Sequence, residues 1–490
     1  MSNDNTALDE RDAPSKGNVA GHPRGLFMLT GTELWERLSF YGLQVILVYY
    51  IYYSVSDGGL GLPQSTALGV AGAYGASVYF VEILGAWVAD RVIAARYVAF
   101  LGGSLIMTGH IVLALVPGLT GLLMGLGFLI AGTGFLMPNI YTMVGGLYRN
   151  KATYRDAGFA IFYTGIMIGA LVGPIVTGFL QTRAGFHVAF GAAAVGMAIG
   201  LAMYVKGWKH LPESAHVVPN PLNTRGRRVA LGCLCLFVIA VGVLVGSSIL
   251  TFTNIDFVVM IMVIIASVSY FVVLIFSSST SAQERLKVIA YIPLFCTGVI
   301  FWTLVLQLFT TFAVYAETRV HMSINGVGIP PAYISTFEVV AGIVFASMTA
   351  FIWQRMGKKQ PSTAMKMALG LCVMAFAYFV FAIIPIWSDA RINIWPVIIG
   401  MVIFGLAEVM YAPLWMSVTT QAAPRAFSTQ MMALHGLSSA AGASLSGIAG
   451  QLYVESSGDT LFFGVTAVIT VAAALLLVVC RPLFRKAGLV

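Results

Sequence analysis

The sequence predicts an all-α polytopic membrane protein with fourteen transmembrane helices, and three observations predict it. The 490 residues are 59% hydrophobic and only 9% charged, with a mean hydropathy of +0.89, whereas soluble domains carry about a quarter charged residues. Apolar runs of about 20 residues, enough for a helix to cross roughly 30 Å of hydrocarbon, recur along nearly the whole chain. Basic residues sort to one side: with both termini cytoplasmic, all of the 27 Lys and Arg except Arg37, Arg183, Arg319 and Arg391 fall in cytoplasmic segments. That asymmetry follows the positive-inside rule and requires an even number of spans.

Each element follows in order. Residues 1–25, with Asp4, Asp9, Glu10, Asp12, Pro14 and Gly17, are too polar to pack and read as a disordered cytoplasmic tail. No cleavable signal peptide is expected before the first span. Spans at 28–53, 66–89, 97–116, 119–146, 157–180 and 186–206 form a six-helix bundle over 26–206. Residues 207–228, with Pro212, Pro219, Pro221 and the cluster Arg225, Arg227 and Arg228, form a cytoplasmic linker. Two spans at 229–249 and 256–277, with no charge between Val229 and Asn254, read as lipid-packed accessory helices within 229–285. Spans at 287–316, 332–354, 364–387, 393–418, 427–452 and 460–480 form a second six-helix bundle over 286–482, followed by a cytoplasmic tail, 483–490.

The net charge of +8 and the pI near 9.2 therefore reflect topology. Basic residues are scattered over short loops, which excludes a nucleic-acid partner and makes anionic membrane lipids the expected contacts. Cys233, Cys235, Cys296, Cys372 and Cys480 all sit in apolar spans, without metal-ligand spacing, and are expected to be free thiols. No nucleophile–base pair, phosphate loop or metal-ligand cluster faces water, so an enzyme is not expected. No cofactor and no obligatory protein partner are expected; the energy source would be the proton gradient.

The most informative stretch is Thr32-Glu33-Leu34-Trp35-Glu36-Arg37-Leu38-Ser39-Phe40-Tyr41-Gly42, at the start of the first span. Glu33, Glu36 and Arg37 stand at i, i+3 and i+4, so they share one helix face and can pair. Paired, they are tolerable inside a membrane and able to exchange a proton. Across all spans, the ionisable groups are Glu33, Glu36, Glu82, Glu338 and Glu408 against Arg37 alone, with His110 and His435 able to go either way. A bare carboxylate in low dielectric is strongly disfavoured, so each holds its proton or finds a cation.

Glu33-x-x-Glu36-Arg37-x-x-x-Tyr41-Gly42 resembles the ExxER signature of the proton-dependent oligopeptide transporters, a branch of the major facilitator superfamily. Gly85-Ala86-Trp87-Val88-Ala89-Asp90-Arg91 with Arg96 resembles the superfamily's loop 2–3 signature, a charged cluster that staples helix ends. Gly132-Thr133-Gly134 to Pro138-Asn139, Asp156 to Gly169-Ala170, Phe301-Trp302 to Gln307, Ala407-Glu408 to Pro413 and Ala423-Pro424-Arg425 with Met431-Met432 are similar to further family segments. The resemblance runs from about residue 25 to 480. It implies the major facilitator fold, two six-helix bundles around a central cavity alternately open to each side, with two accessory helices between the halves. It implies uptake of di- and tripeptides driven by protons.

Several positions depart from the family pattern. An Arg after the Tyr-Gly reads Gln44, and a Lys of the fourth span reads Met137, so both cations that would hold a peptide carboxylate are missing. An Asn of the fifth span reads Met167, and a Glu beside Gln307 reads Leu306. A pocket Trp corresponds to His435 and an Asn to Glu338, while the amine-facing Glu is retained as Glu408.

The expected proton site is therefore Glu33, Glu36 and Arg37. Glu338 and Glu408 face it as the site for a substrate amine. Tyr41, Gln44, Tyr79, Met137, Tyr163, Met167, Trp302 and His435 complete the substrate cavity, in which aromatic faces suit ammonium groups. Phe162 is a further candidate cavity aromatic. The acidic cavity favours a small peptide or peptide-like substrate bearing an amine and lacking an obligatory carboxylate. Blander readings stand beside these. Glu82 can serve as a bridge between helices, His110 as an interhelical hydrogen-bond partner and His435 as a close-packing residue, and the aromatics as plain packing. Gly165, Gly169, Gly173, Pro174 and Pro413 are candidate bending points. The expected location is the bacterial inner membrane. Two other readings remain open: a proton antiporter exporting organic cations or peptide-like natural products, and a nutrient receptor that binds without transport.

Overall fold

The structure, a computed structural model, describes residues 19, 21–148, 152–249, 251–387, 391–455 and 458–489. Most of the expected 1–25 tail, and Val490 of the expected C-terminal tail, lie outside the described residues. Helices follow in the order α1 (Arg24–Tyr52), α2 (Gln64–Arg91), α3 (Ala95–Leu115), α4 (Gly118–Leu147), α5 (Ala152–Ala184), α6 (Phe186–Gly207), α7 (Thr224–Gly246) and α8 (Ile255–Phe276). They continue with α9 (Ala282–Leu306), α10 (Thr311–Thr318), α11 (Ile334–Met356), α12 (Thr363–Ile383), α13 (Ile394–Ala422), α14 (Ser428–Glu455), α15 (Asp459–Val479) and α16 (Arg481–Ala487). Each expected span finds its helix, and 11 helices among the described residues are long and apolar enough to cross a membrane.

The ninth span differs from its expected unbroken course over 287–316. α9 ends at Leu306, Gln307–Phe309 forms a 3-10 turn, and Thr310 leaves the helical region at φ −123°, ψ −93° before α10 begins. No Gly or Pro marks this break. At the break, Thr310 Oγ1 lies 2.9 Å from Ser446 Oγ on α14 and donates to the Ser446 carbonyl at 3.2 Å.

Close packing divides the chain into two compact units. The first takes α1 up to Leu43, Val81–Gly173 and His187–Val241; the second takes Gln44–Phe80, Pro174–Phe186 and the chain from Gly242 onward.

In the first unit, α3 and α4 meet through small residues. A Cβ on Gly102 would stand 2.6 Å from Leu136 N, and one on Gly109 would stand 2.8 Å from the Gly125 carbonyl oxygen. Where no hydrophobic force separates helix from lipid, such close approach provides the packing. Asp90 and Arg91, paired at 3.2 Å at the end of α2, also hold the linker. The Asn220 and Leu222 amides donate to the Asp90 and Arg91 carbonyls at 3.0 and 2.9 Å, and the Asn220 side chain donates to Asp90 Oδ1 at 3.0 Å.

In the second unit, Phe312, Tyr315, Tyr378, Phe381, Phe404 and Phe463 from α10, α12, α13 and α15 pack as one buried aromatic core. Short strands β1 (Val320–His321), β2 (Ser323–Ile324), β3 (Val327–Gly328) and β4 (Ile392–Asn393) were not expected. β1 pairs parallel with β4, and β2–β3 is a hairpin whose turn residues Asn325 and Gly326 both take positive φ, 51° and 81°. Beside it, Arg319 Nε donates to Asp459 Oδ2 at 2.6 Å. That bond holds the Arg319 guanidinium above its ordinary value.

α9 opens with a capping box of Ser281 and Glu284, and Glu284 Oε1 also accepts the Arg425 amide at 3.0 Å, tying the loop after α13 to this helix. α8 exposes an apolar face, with Phe257 and Ile265 each 60% exposed. Yet its Asp256 is buried and accepts from Gln451 Nε2 on α14 at 2.7 Å, an anchor the sequence reading passed over. The expected tail 483–490 starts inside α16, which ends at Gly488 with φ +69°.

Candidate functional site

The ionisable face of α1 forms as the spacing predicts. Arg37 Nε lies 2.5 Å from Glu36 Oε2 and 3.3 Å from Glu33 Oε1. Both glutamates are fully buried and Arg37 is 5% exposed. One guanidinium edge therefore serves two carboxylates, while Glu33 Oε1 and Oε2 and Glu36 Oε1 have no hydrogen-bond partner among the described residues. Behind the cluster, α5 approaches closely: a Cβ on Gly169 would stand 2.7 Å from Arg37 Cβ, so that glycine is what lets α5 lie against this turn. In front, the guanidinium carbon stands 4.7 Å from the Phe40 ring centroid and 5.9 Å from that of Tyr41, within cation–π range.

α4 supplies the rest of the shell. Arg37 Nη2 is turned onto the Sδ of Met137, a weak acceptor at the position where the resemblance places a Lys. Thr133 is hydrogen-bonded to Glu36, and the Tyr141 phenol interacts with Glu33 and Arg37. Thr133 and Tyr141 were missed in the sequence, although their spacing of four on either side of Met137 puts all three on one helical face. Glu82 on α2 interacts with Glu33, Glu36 and Arg37 and so belongs to this cluster. Its blander reading as a bridge between helices leaves that electrostatic contact out.

The second unit holds the other acidic pair. Glu338 on α11 and Glu408 on α13 are hydrogen-bonded to each other. A hydrogen bond between two carboxyls requires at least one proton on the pair. The helices meet there because Gly405 allows it: a Cβ on that residue would stand 2.6 Å from the Glu338 carbonyl oxygen. His435 on α14 stacks on Trp415 at 5.9 Å and 26°, and Trp415 stacks in turn on Tyr291 at 5.1 Å and 10°. His435 Nδ1, Trp415 Nε1 and Trp302 Nε1 are buried without a hydrogen-bond partner among the described residues. Trp415 lies seven residues after Glu408, two turns along the same face, which is the signal that could have found it.

The remaining expected residues are less gathered. Gln44 is buried beside Gly75 in the second unit, and Tyr79 is partly buried on α2. Phe162 is buried edge-on to Tyr141, while Tyr163 on α5 is 54% exposed and Met167 is partly buried. His110 is fully buried, and neither ring nitrogen has a partner among the described residues, so the interhelical hydrogen bond expected of it is absent there. Among the described residues no group of three or more His, Cys, Asp or Glu is placed to hold a metal ion.

Buried ionisable groups within membrane-spanning segments usually mark a functional pathway, and the comparison with known families decides which. The sequence model of the POT family matches residues 96–469. This chain belongs to the POT family. The POT-family resemblance extends to whole proteins. The chain is 35% identical to the uncharacterized transporter YclF of Bacillus subtilis (strain 168), over 97% of each chain. It is 34% identical to the di-/tripeptide transporter of Lactococcus lactis subsp. lactis (strain IL1403), over 96% of this chain and 97% of that one. A crystal structure of a mutant of peptide transporter POT in complex with alafosfalin superposes with a TM-score of 0.91, at 37% identity, covering 99% of each chain. The fold is accordingly that of the POT branch of the major facilitator transporters, and this is a multi-pass membrane transporter, not an enzyme.

Proposed function

We propose that this POT-family chain takes up di- and tripeptides, or peptide-like molecules bearing an amine, in symport with protons by alternating access. The observation that carries the reading is the α1 cluster, in which Arg37 alone balances the sealed Glu33 and Glu36. Protonating either glutamate frees part of the guanidinium for the other. A change of pairing at one buried cation alters the relative stability of outward-open and inward-open states, which is what coupling requires.

The Glu338–Glu408 pair is the substrate-amine site in this reading. An arriving ammonium offers the charge-assisted hydrogen bonds that the shared proton otherwise supplies, and displaces that proton. No Lys or Arg stands in the carboxylate-binding positions, which read Gln44 and Met137, so a free C-terminal carboxylate is not required. The working arrangement is two six-helix bundles, 26–206 and 286–482, with 207–228 as linker and 229–285 as accessory helices, in a bacterial inner membrane with both termini cytoplasmic.

The test is uptake in proteoliposomes under an imposed proton gradient, comparing one dipeptide with its C-terminal amide. Accumulation of the amide at least as well as the free acid supports the amine-reading site. A strong preference for the acid would mean that another group has replaced the missing cations. Binding without accumulation of either would sink transport altogether.

A further inference from the structure

We propose that Glu82 is a third proton-carrying carboxyl of the α1 cluster, and that one of the protons moved with each substrate travels on it. This rests on the proton-coupled reading above and extends it to a residue outside the ExxER motif.

The placement comes from a single turn of α4. A Cβ on Gly85 would stand 1.9 Å from the Gly134 carbonyl oxygen, and one on Gly134 would stand 2.5 Å from Val81 Cγ1, so α2 touches α4 on both sides of Glu82. The same turn of α4 carries Thr133, bonded to Glu36, and Met137, bonded to Arg37. Glu82 is thus brought to the α4 turn that the motif's Glu36 and Arg37 already occupy. The ionisable groups around it are Glu33, Glu36 and Arg37 from α1 and Tyr141 from α4.

Charge counting then fixes what Glu82 does. Three carboxyls meet one guanidinium, so a neutral cluster needs two further positive charges, and buried clusters do not stay far from neutral. A Lys at position 137 would have left a deficit of one; Met137 leaves it at two, and the added charge must come from protons. Accessibility separates the three carboxyls: Glu33 and Glu36 are fully buried, whereas Glu82 is only partly buried. Glu82 is the member of the three that keeps some exposure, and this makes it the carboxyl able to load and release its proton as the protein cycles.

The experiment measures the equilibrium accumulation ratio of a dipeptide against imposed ΔpH in proteoliposomes. Loss of one coupled proton lowers accumulation by about tenfold per unit of ΔpH. Glu82→Gln and Glu82→Ser are expected to show that lower slope, and Glu82→Asp to restore the wild-type slope. Gradient-free substrate exchange reports whether each variant is folded and cycling, and the two carboxyl-free variants back each other if one fails to fold. An unchanged slope in a cycling carboxyl-free variant, beside a responding wild type, overturns the role of Glu82 alone. Absence of ΔpH-driven accumulation in the wild type overturns the coupled reading, and this proposal with it.

Discussion

Glu338 on α11 and Glu408 on α13 share a hydrogen bond between their carboxyl groups. Neither has a basic residue within two turns on its own helix, so the proton between them is the charge that makes the pair tolerable at depth. An ammonium ion is a better partner, and Glu408→Gln removes one of the two acceptors it would meet. The expected result is a KM for dipeptides about 10- to 100-fold higher, the range of a lost charge-assisted hydrogen bond. N-acetylation of the substrate deletes the amine itself. It should weaken transport strongly in the wild type and add little in Glu408→Gln; equal losses in both would place the amine elsewhere.

Arg37 is the cation on which both α1 glutamates depend, through distances of 2.5 and 3.3 Å. Arg37→Gln strands two buried carboxyls, and breaking a buried pair from one side costs about 3–5 kcal/mol when the partner stays charged. The expected outcome is a lower melting temperature together with loss of gradient-driven accumulation. Adding Glu36→Gln should recover much of the stability without recovering accumulation, because it removes one stranded charge and the coupling group at once. Full accumulation in Arg37→Gln would contradict the coupling role.

The ExxER face and the fourteen spans were legible because each rests on local pattern: helical spacing and hydropathy. What the pattern hid was tertiary. The break at Thr310 has no Gly or Pro to announce it, and it sets the Thr310 hydroxyl against Ser446 of another helix. Thr133, Tyr141 and Trp415 enter the sites by packing, although their spacing from Met137 and Glu408 was on the page. Glu82 stood between two readings in the sequence, and only the contact of Gly85 with Gly134 brings it to Arg37's turn.

Met137 meets the Nη2 of Arg37 where the family resemblance places a Lys. Met137→Lys should return a cation able to meet a substrate carboxylate and shift preference from a dipeptide amide toward the free acid, by about tenfold for one charge-assisted hydrogen bond. Competition of acid and amide against one labelled dipeptide reads the ratio; a ratio equal to the wild type's would show that position 137 does not see the carboxyl end.

Asp256 ties α8 to α14 by accepting from Gln451 Nε2 at 2.7 Å, and Gly69 of α2 leaves the space for that pair. A Cβ on Gly69 would stand 2.3 Å from Gln451 Nε2 and 3.3 Å from Asp256 Oδ2, so Gly69→Ala must push the two apart. Asp256→Ala leaves the partly buried Gln451 amide without its acceptor, a cost of about 1 kcal/mol. Both substitutions should lower the melting temperature of the purified protein while leaving the KM for substrate near the wild-type value, because this anchor shares no residue with Arg37's cluster or the Glu338–Glu408 pair. A KM change of tenfold or more in either variant would mean that α8 takes part in the transport cycle rather than bracing α14 from outside.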